Sequence, residues 1–445
     1  MKNNLLKSNV TGANKNSSVR NLLKTATGCL LGVTAVAGAQ ASSGEGWETD
    51  VALLYYSETD RVSALEPAIA MKKTFDDDSA VGFKLVFDAL TGASANGATA
   101  SGSPQTFTRP SGNGTYTAGA NETPLDDTFR DTRLSLTANY EQPLENRMNK
   151  VVWGANVSNE YDFLSIGGSG TFMHDMNQRN TTLSLGFSIE QDSIKPVGGS
   201  PIPLGEMKAQ GNQVRTGDES RSMVEMLVGV TQVIDAKTLV QFNYGLAISD
   251  GYHNDAYKIT SVVDSNGDNA ASINLDGGSL TNRYLYENRP DSRTKHSVYG
   301  KVKRFIGGDV ADISYRYMFD DWGVASSTVD MHYRFNVSPS WYVEPHVRYY
   351  SQQAADFYNT SLTEAQADTI VATNDDLTSD YRLGDMDATT VGLKFGFLSP
   401  DGNKSSIRVE YYNQTGTASQ VIGNQSSQDL VPDVDAVIVQ YNYSF

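Results

Sequence analysis

The chain has 445 residues, with 35 lysines and arginines against 52 acids and a formal charge of −17, a balance that argues against nucleic acid as a partner. Only 39% of the residues are hydrophobic, yet 23 are tyrosine and 39 are glycine. Beyond residue 41 no run approaches the roughly 18 consecutive apolar residues of a spanning helix, which excludes a helical membrane protein but not a sheet with one apolar face.

Residues 1–41 carry Lys2, Lys7, Lys15, Arg20 and Lys24 and no acid, followed by an apolar run from Ala26 to Ala39. The run ends in Ala37-Gly38-Ala39 and Ala39-Gln40-Ala41, so it predicts a secretory signal peptide cleaved after Ala39 or Ala41. The one cysteine, Cys29, lies inside it, with the apolar stretch after rather than before it, which disfavours a lipoprotein. Residues 42–445 would then form one cysteine-free unit, with no disulfide, thiolate metal site or cysteine nucleophile.

Sixteen alternating segments follow, near 47–57, 64–75, 80–91, 128–141, 151–158, 164–174, 181–191, 221–234, 238–249, 295–306, 309–319, 326–337, 341–353, 387–398, 404–415 and 433–445. The even connections are brief, among them Gly307-Gly308 and Ser338-Pro339-Ser340. The long ones, near 92–127, 192–220, 250–294, 354–386 and 416–432, all fall on odd positions. A transmembrane antiparallel β-barrel of about 16 strands has this phase, with short periplasmic turns and long external loops, whereas a soluble sheet has no reason to keep it. Trp47, Trp153 and Trp341 each open an outward-running segment and are expected at the periplasmic interface. The long loops are rich in Gly, Ser, Asn and Asp and read as solvated external structure, although the loop at 250–294 is long enough to plug the lumen. Asp264-Ser265-Asn266-Gly267-Asp268 reads as a polar turn; it has oxygen ligands at alternate positions for calcium but lacks the glycine and the distal acid of an EF-hand loop.

The densest polar array lies around Pro339. With Ser338-Pro339-Ser340 as a three-residue turn, Asp330 faces Arg348, His332 faces His346 and Arg334 faces Glu344, all on one side. The other side carries Val329, Met331, Tyr333 and Phe335, so the charges belong in the lumen. Asp312 and Arg316 join them, and a two-residue Gly307-Gly308 turn sets Lys303 opposite Asp312. Three readings stay open: charges that fill and stiffen the lumen, a constriction that selects a solute, and a metal or catalytic site on the His332–His346 pair. No catalytic triad, phosphate loop, zinc helix or dinucleotide fingerprint appears, so no enzyme and no cofactor is expected.

The last segment alternates to its end. Tyr441, Tyr443 and Phe445 share a face with Val437 and Val439, opposite Gln440, Asn442 and Ser444. This suits a closing strand whose aromatic rim serves as the signal read by the barrel-assembly machinery.

Several stretches resemble the bacterial domain-of-unknown-function family 3570. They are Asp88-Ala89-Leu90-Thr91-Gly92-Ala93-Ser94, Pro104-Gln105-Thr106-Phe107-Thr108-Arg109-Pro110, Asp131-Thr132-Arg133 and Asn180-Thr181-Thr182-Leu183-Ser184. Further on come Asn288 to Arg293, His346 to Gln352, Ala355-Asp356-Phe357-Tyr358 and Asp380-Tyr381-Arg382-Leu383. The resemblance implies a Gram-negative envelope protein encoded near periplasmic redox or flavin-transferase genes, and implies no established activity. It directs attention to Arg289, Arg293, Asp356, Asp380 and Arg382, expected to meet at the outer mouth as an ion-paired cap or a ligand site. The expected location is the outer membrane, with its lipid as the surrounding partner, and the expected role a channel or transport component. The alternatives are a closed scaffold for a periplasmic redox system and a barrel enzyme using the histidine pair.

Overall fold

The structure, a computed structural model, describes residues 46–445 except 111, 113, 146 and 273–280, and gives no side-chain detail for 127–129. The expected signal peptide and Cys29 lie outside the described residues. No helix among the described residues is long and apolar enough to cross a membrane.

The chain opens with β1 (Glu48–Glu58), β2 (Val62–Thr74) and β3 (Ala80–Ala95), followed by the short β4 (Gln105–Thr108) and β5 (Thr115–Ala118). Then come β6 (Leu125–Pro143), β7 (Asn149–Asn159), β8 (Phe163–Met176), β9 (Thr181–Ile194), β10 (Glu219–Asp235) and β11 (Thr238–Gly251). After the short β12 (Ile259–Val263) and β13 (Tyr284–Tyr286) the wall resumes with β14 (Ser292–Ile306), β15 (Asp309–Asp320), β16 (Ala325–Asn336) and β17 (Trp341–Gln352). The short β18 (Ser361–Thr363) and a helix, Glu364–Thr373, precede β19 (Asp385–Leu398), β20 (Lys404–Thr417) and β21 (Val434–Ser444).

Sixteen of these strands close into one antiparallel barrel, and each matches an expected segment to within a few residues. β1 pairs with β21 from Asp50↔Ser444 to Glu58↔Ala436, so the wall has no open edge. Closure is obligatory in lipid, which offers no partner to a free N–H or C=O. The outer face is apolar strand after strand: Leu183, Leu185, Phe187 and Ile189 on β9, Ile313, Tyr315, Tyr317 and Phe319 on β15. Trp47, Trp153 and Trp341 are exposed at the end of the barrel that carries the short turns, whereas Trp322, between β15 and β16, is buried at the other end. Because side chains alternate, a slip of one residue would turn lumen charges into the bilayer, where a basic group near the midplane costs roughly 2–4 kcal/mol.

The long loops depart from expectation: they are folded rather than solvated. β12 pairs antiparallel with β13 and parallel with β18, and β4 pairs with β5. Phe107, Ile259, Tyr284 and Tyr286 form one buried cluster; Val262, Leu285, Leu362 and Leu377 form a second. Trp322, Phe357 and Leu383 build a third. The polar residues between them are buried because they are paired. Gln105 Nε2 donates to the Thr99 carbonyl at 2.9 Å and Thr99 N–H to Ser261 Oγ at 3.1 Å. Each pairing removes the desolvation cost that would otherwise keep such a loop in water. The helix begins at a capping box, with Thr363 Oγ accepting from Gln366 N–H and Gln366 Oε1 accepting from Thr363 N–H.

Candidate functional site

Turn geometry places the lumen residues. The three-residue turn gives Asp330↔Arg348 and His332↔His346, as the sequence predicts, and neighbouring ladders extend that row. Lys303, Asp312, His332, His346, Gly392 and Glu410 stand side by side on six consecutive barrel strands. Backbone register and side-chain pairing then diverge. Asp330 does not pair with Arg348; its carboxylate lies 3.0 Å from His332 Nε2 and 3.2 Å from His346 Nε2. Arg334 does not pair with Glu344 either. Its Nε donates to Asn336 Oδ1 at 3.0 Å and its guanidinium lies 3.6 Å from the centre of the Tyr342 ring. Asp312 takes Lys301 at 2.8 Å in place of Lys303, and Arg316 lies over the Tyr299 ring. Residues two apart on one strand share a face, so the nearer donor on the same or a diagonal position displaces the one directly across.

The two imidazoles stack in parallel, with centroids 4.0 Å apart and planes within 1°. His346 Nδ1 meets Glu410 Oε1 at 2.7 Å, and His332 Nδ1 lies 3.5 Å from Glu344 Oε1. Lys394 and Arg408 approach Glu344 and Glu410 at 4.0 and 3.7 Å. Asp330, His332 and His346 bring one ligand atom each within 4.8 Å of one another. Sequence reasoning missed Glu410, Lys394 and Gly392. Carrying the hairpin register one strand further through β19 and β20 would have found them.

At the outer mouth the predicted residues divide. Arg289 binds Asp380 at 2.8 Å and Glu287 at 2.8 Å; Arg382 binds Asp255 at 2.7 Å and also Asp380. Arg293 instead binds Asp320 and stacks over Trp322, 4.3 Å from the ring centre. Asp356 sits against the Gly323 turn and donates its backbone N–H to the Trp322 carbonyl. Asp255, Lys258 and Glu287 complete the buried network and were not anticipated. Burial alone would raise the Asp380 carboxyl, but the Arg382, Arg289 and Lys258 charges more than offset it and hold it well below the usual range. Burial dominates at Glu287, which is pushed up to about 7 despite Arg289. Burial, reinforced by Arg221, pushes nearby His253 down to about 4.

This network crosses the mouth. Arg61, in the β1–β2 turn, lies over the Tyr381 ring; the adjoining Arg382 reaches Asp255; Tyr257 donates to Asp162, in the β7–β8 turn, at 2.6 Å. On another side Gln352 of β17 donates to the Arg382 and Gly384 carbonyls at 2.9 Å. The described residues of the 250–294 segment are thus woven into a cap with the other loops. Asp264 uses its carboxylate to accept the N–H groups of Asn266 and Asp268, the geometry of a self-capped polar turn. Tyr441 and Phe445 stand exposed on the outer face at the β1–β21 seam, with Tyr443 and Phe445 rings 5.5 Å apart.

The sequence profile of a family of proteins of unknown function, DUF3570, matches residues 20–445. No curated protein matches the chain. Among solved structures it is similar to OprB of Pseudomonas putida (10% identity, TM-score 0.40, covering 98% of this chain and 99% of that one). It is also similar to a bacterial polysaccharide outer membrane secretin (9%, 0.43, 90% and 99%) and to CdiB of Acinetobacter baumannii (6%, 0.44, 90% and 60%). The chain therefore spans about three fifths of the length of CdiB.

Proposed function

The chain belongs to the DUF3570 family, and from that premise and its closed outer-membrane barrel we propose that it is a channel or transport component of the Gram-negative outer membrane. The observation that carries this reading is the row of ionisable side chains on five of six adjacent strands of the inner face. A purely structural barrel of sixteen strands has no need to dedicate such a row to ions, and a barrel of this width leaves room for water beside it. The role of the row is to set which charge passes.

A second reading has its own support. The loops carry three apolar clusters and a buried ion network that spans the mouth, which favours a barrel kept shut as an envelope scaffold, with periplasmic redox proteins as partners. Planar-bilayer recording of the purified protein separates the two. Steady unitary conductance supports the channel. Silence in the wild type and in a variant with the cap loosened overturns it in favour of the scaffold.

A further inference from the structure

We propose that Asp330, His332 and His346 form a binding site for a late first-row divalent cation, of which Zn²⁺ is the probe, on the lumen wall. This does not rest on the barrel conducting, because the site is defined by three side chains and their supports.

The donors are right in type and already gathered on one side of the stacked rings. Both imidazoles turn Nε2 toward the same carboxylate, His332 to one oxygen at 3.0 Å and His346 to the other at 3.2 Å, so one nitrogen of each ring and a carboxylate oxygen lie within 4.8 Å of one another. Two imidazoles with one carboxylate suit zinc and its neighbours and exclude calcium and magnesium, which take oxygen shells. The far nitrogens are the second observation. His346 Nδ1 is held by Glu410 at 2.7 Å, and His332 Nδ1 faces Glu344 at 3.5 Å. The Glu410 hydrogen bond fixes which His346 nitrogen is left for the ion and raises its basicity, and Glu344 stands where it would do the same for His332 once that ring turns.

The wall is built around that support. Gly392 stands between His346 and Glu410 in the row, and a Cβ there would lie 2.5 Å from Glu410 Cγ. Only a residue without a side chain lets Glu410 reach across an entire strand to the ring. A tetrahedral ion with bonds of about 2.0–2.1 Å needs donors about 3.3 Å apart, so the three atoms, now within 4.8 Å, must close and one of the parallel rings must turn until both in-plane lone pairs meet the ion. The His332 ring supplies the movement: its side chain is 25% exposed against 9% for His346, and its Nδ1 makes no hydrogen bond. Three protein donors leave a fourth position open to the lumen for water or an anionic ligand.

The test is Zn²⁺ titration of untagged, chelator-treated barrel in detergent, against a chromophoric competitor. One equivalent is expected, with affinity at least tenfold lower in Asp330→Asn and His346→Ala. Loss in Glu410→Gln should be about 10–100-fold. His296→Ala, whose ring stacks on Phe319 away from the lumen row, should bind as the wild type does. Binding that persists at equal affinity in a folded His332→Ala/His346→Ala double variant overturns the site, as does absence of binding in the wild type. If variants fail the heat-modifiable mobility test for folding, Cu²⁺ electron paramagnetic resonance on the wild type decides: coupling to two nitrogens supports the site and a spectrum without nitrogen coupling overturns it. A barrel that binds Zn²⁺ but never conducts keeps this proposal and sinks the channel reading.

Discussion

Inward-facing glycines on β19 set the reach of their neighbours. At Gly396 a Cβ would fall 1.9 Å from the Tyr342 ring, which lies across the gap and receives Arg334 on its face. At Gly392 the same absence admits Glu410 to His346. Gly392→Ala should therefore displace Glu410 and weaken Zn²⁺ binding about tenfold, whereas Gly300→Ala, with nothing within 4 Å, should leave the titration unchanged. The cap offers a pH test with a definite sign. Burial pushes Glu287 up to about 7 in the folded cap against 4.5 for a free glutamate, so its contribution to stability is fully present below about 4.5 and is lost as pH rises toward 7. Asp380 behaves oppositely: its contribution is present above 3.8 and is lost as pH falls below that. His253, held near 4 against 6.5, disfavours the folded cap as pH falls from 6.5 toward 4. Protease protection of the loops, compared between wild type and Glu287→Gln, should show the wild type losing ground relative to the variant between pH 5 and 7. A constant difference across that range would contradict the assignment.

The β16–β17 hairpin shows what one element reveals. Its register was legible because a three-residue turn and a period of two admit one alignment that keeps all charges on one side. Its ion pairs were not legible, because Asp330 has two imidazole nitrogens within 3.2 Å and no need of Arg348. Arg348 nonetheless stands on the inner wall, in register with Asp330. In a conducting barrel, Arg348→Ala removes a positive charge and should shift selectivity toward cations, read as a change in reversal potential under a salt gradient. An unchanged potential would mean that the ladder fills space and that the narrowest point lies elsewhere.

For the whole molecule, the wall could be read from the sequence and the cap could not. Alternation with long loops in phase specifies a closed barrel, but Asn96, Thr99 and Ser261 look like any solvated loop until the Asn96 carbonyl accepts from Ile259 N–H and Thr99 N–H donates to Ser261, each in another loop. The helix had a local sign in Thr363 and Gln366; the β12–β18 pairing had none, since it joins distant segments. Arg382→Ala would leave Asp380 and Asp255 buried and underpaired, a loss on the order of 3–5 kcal/mol. The variant should be cleaved in its loops far faster than the wild type while keeping heat-modifiable barrel mobility, and its conductance should rise if a channel lies beneath. Equal protease resistance would show that the apolar clusters alone hold the cap.

The parallel match of Ser261 with Ser361, about a hundred positions apart, also fixes a sequence of events in time. Its two halves hang from separate hairpins and approach each other only after β14 to β17 are inserted side by side, so loop closure makes this contact late. The barrel must enter the bilayer with its loops still unjoined, and the cap must knit on the far side as the final step. Pulsed hydrogen exchange during refolding into detergent should therefore protect amides of β9 and β10 before those of β12, and simultaneous protection would refute that order.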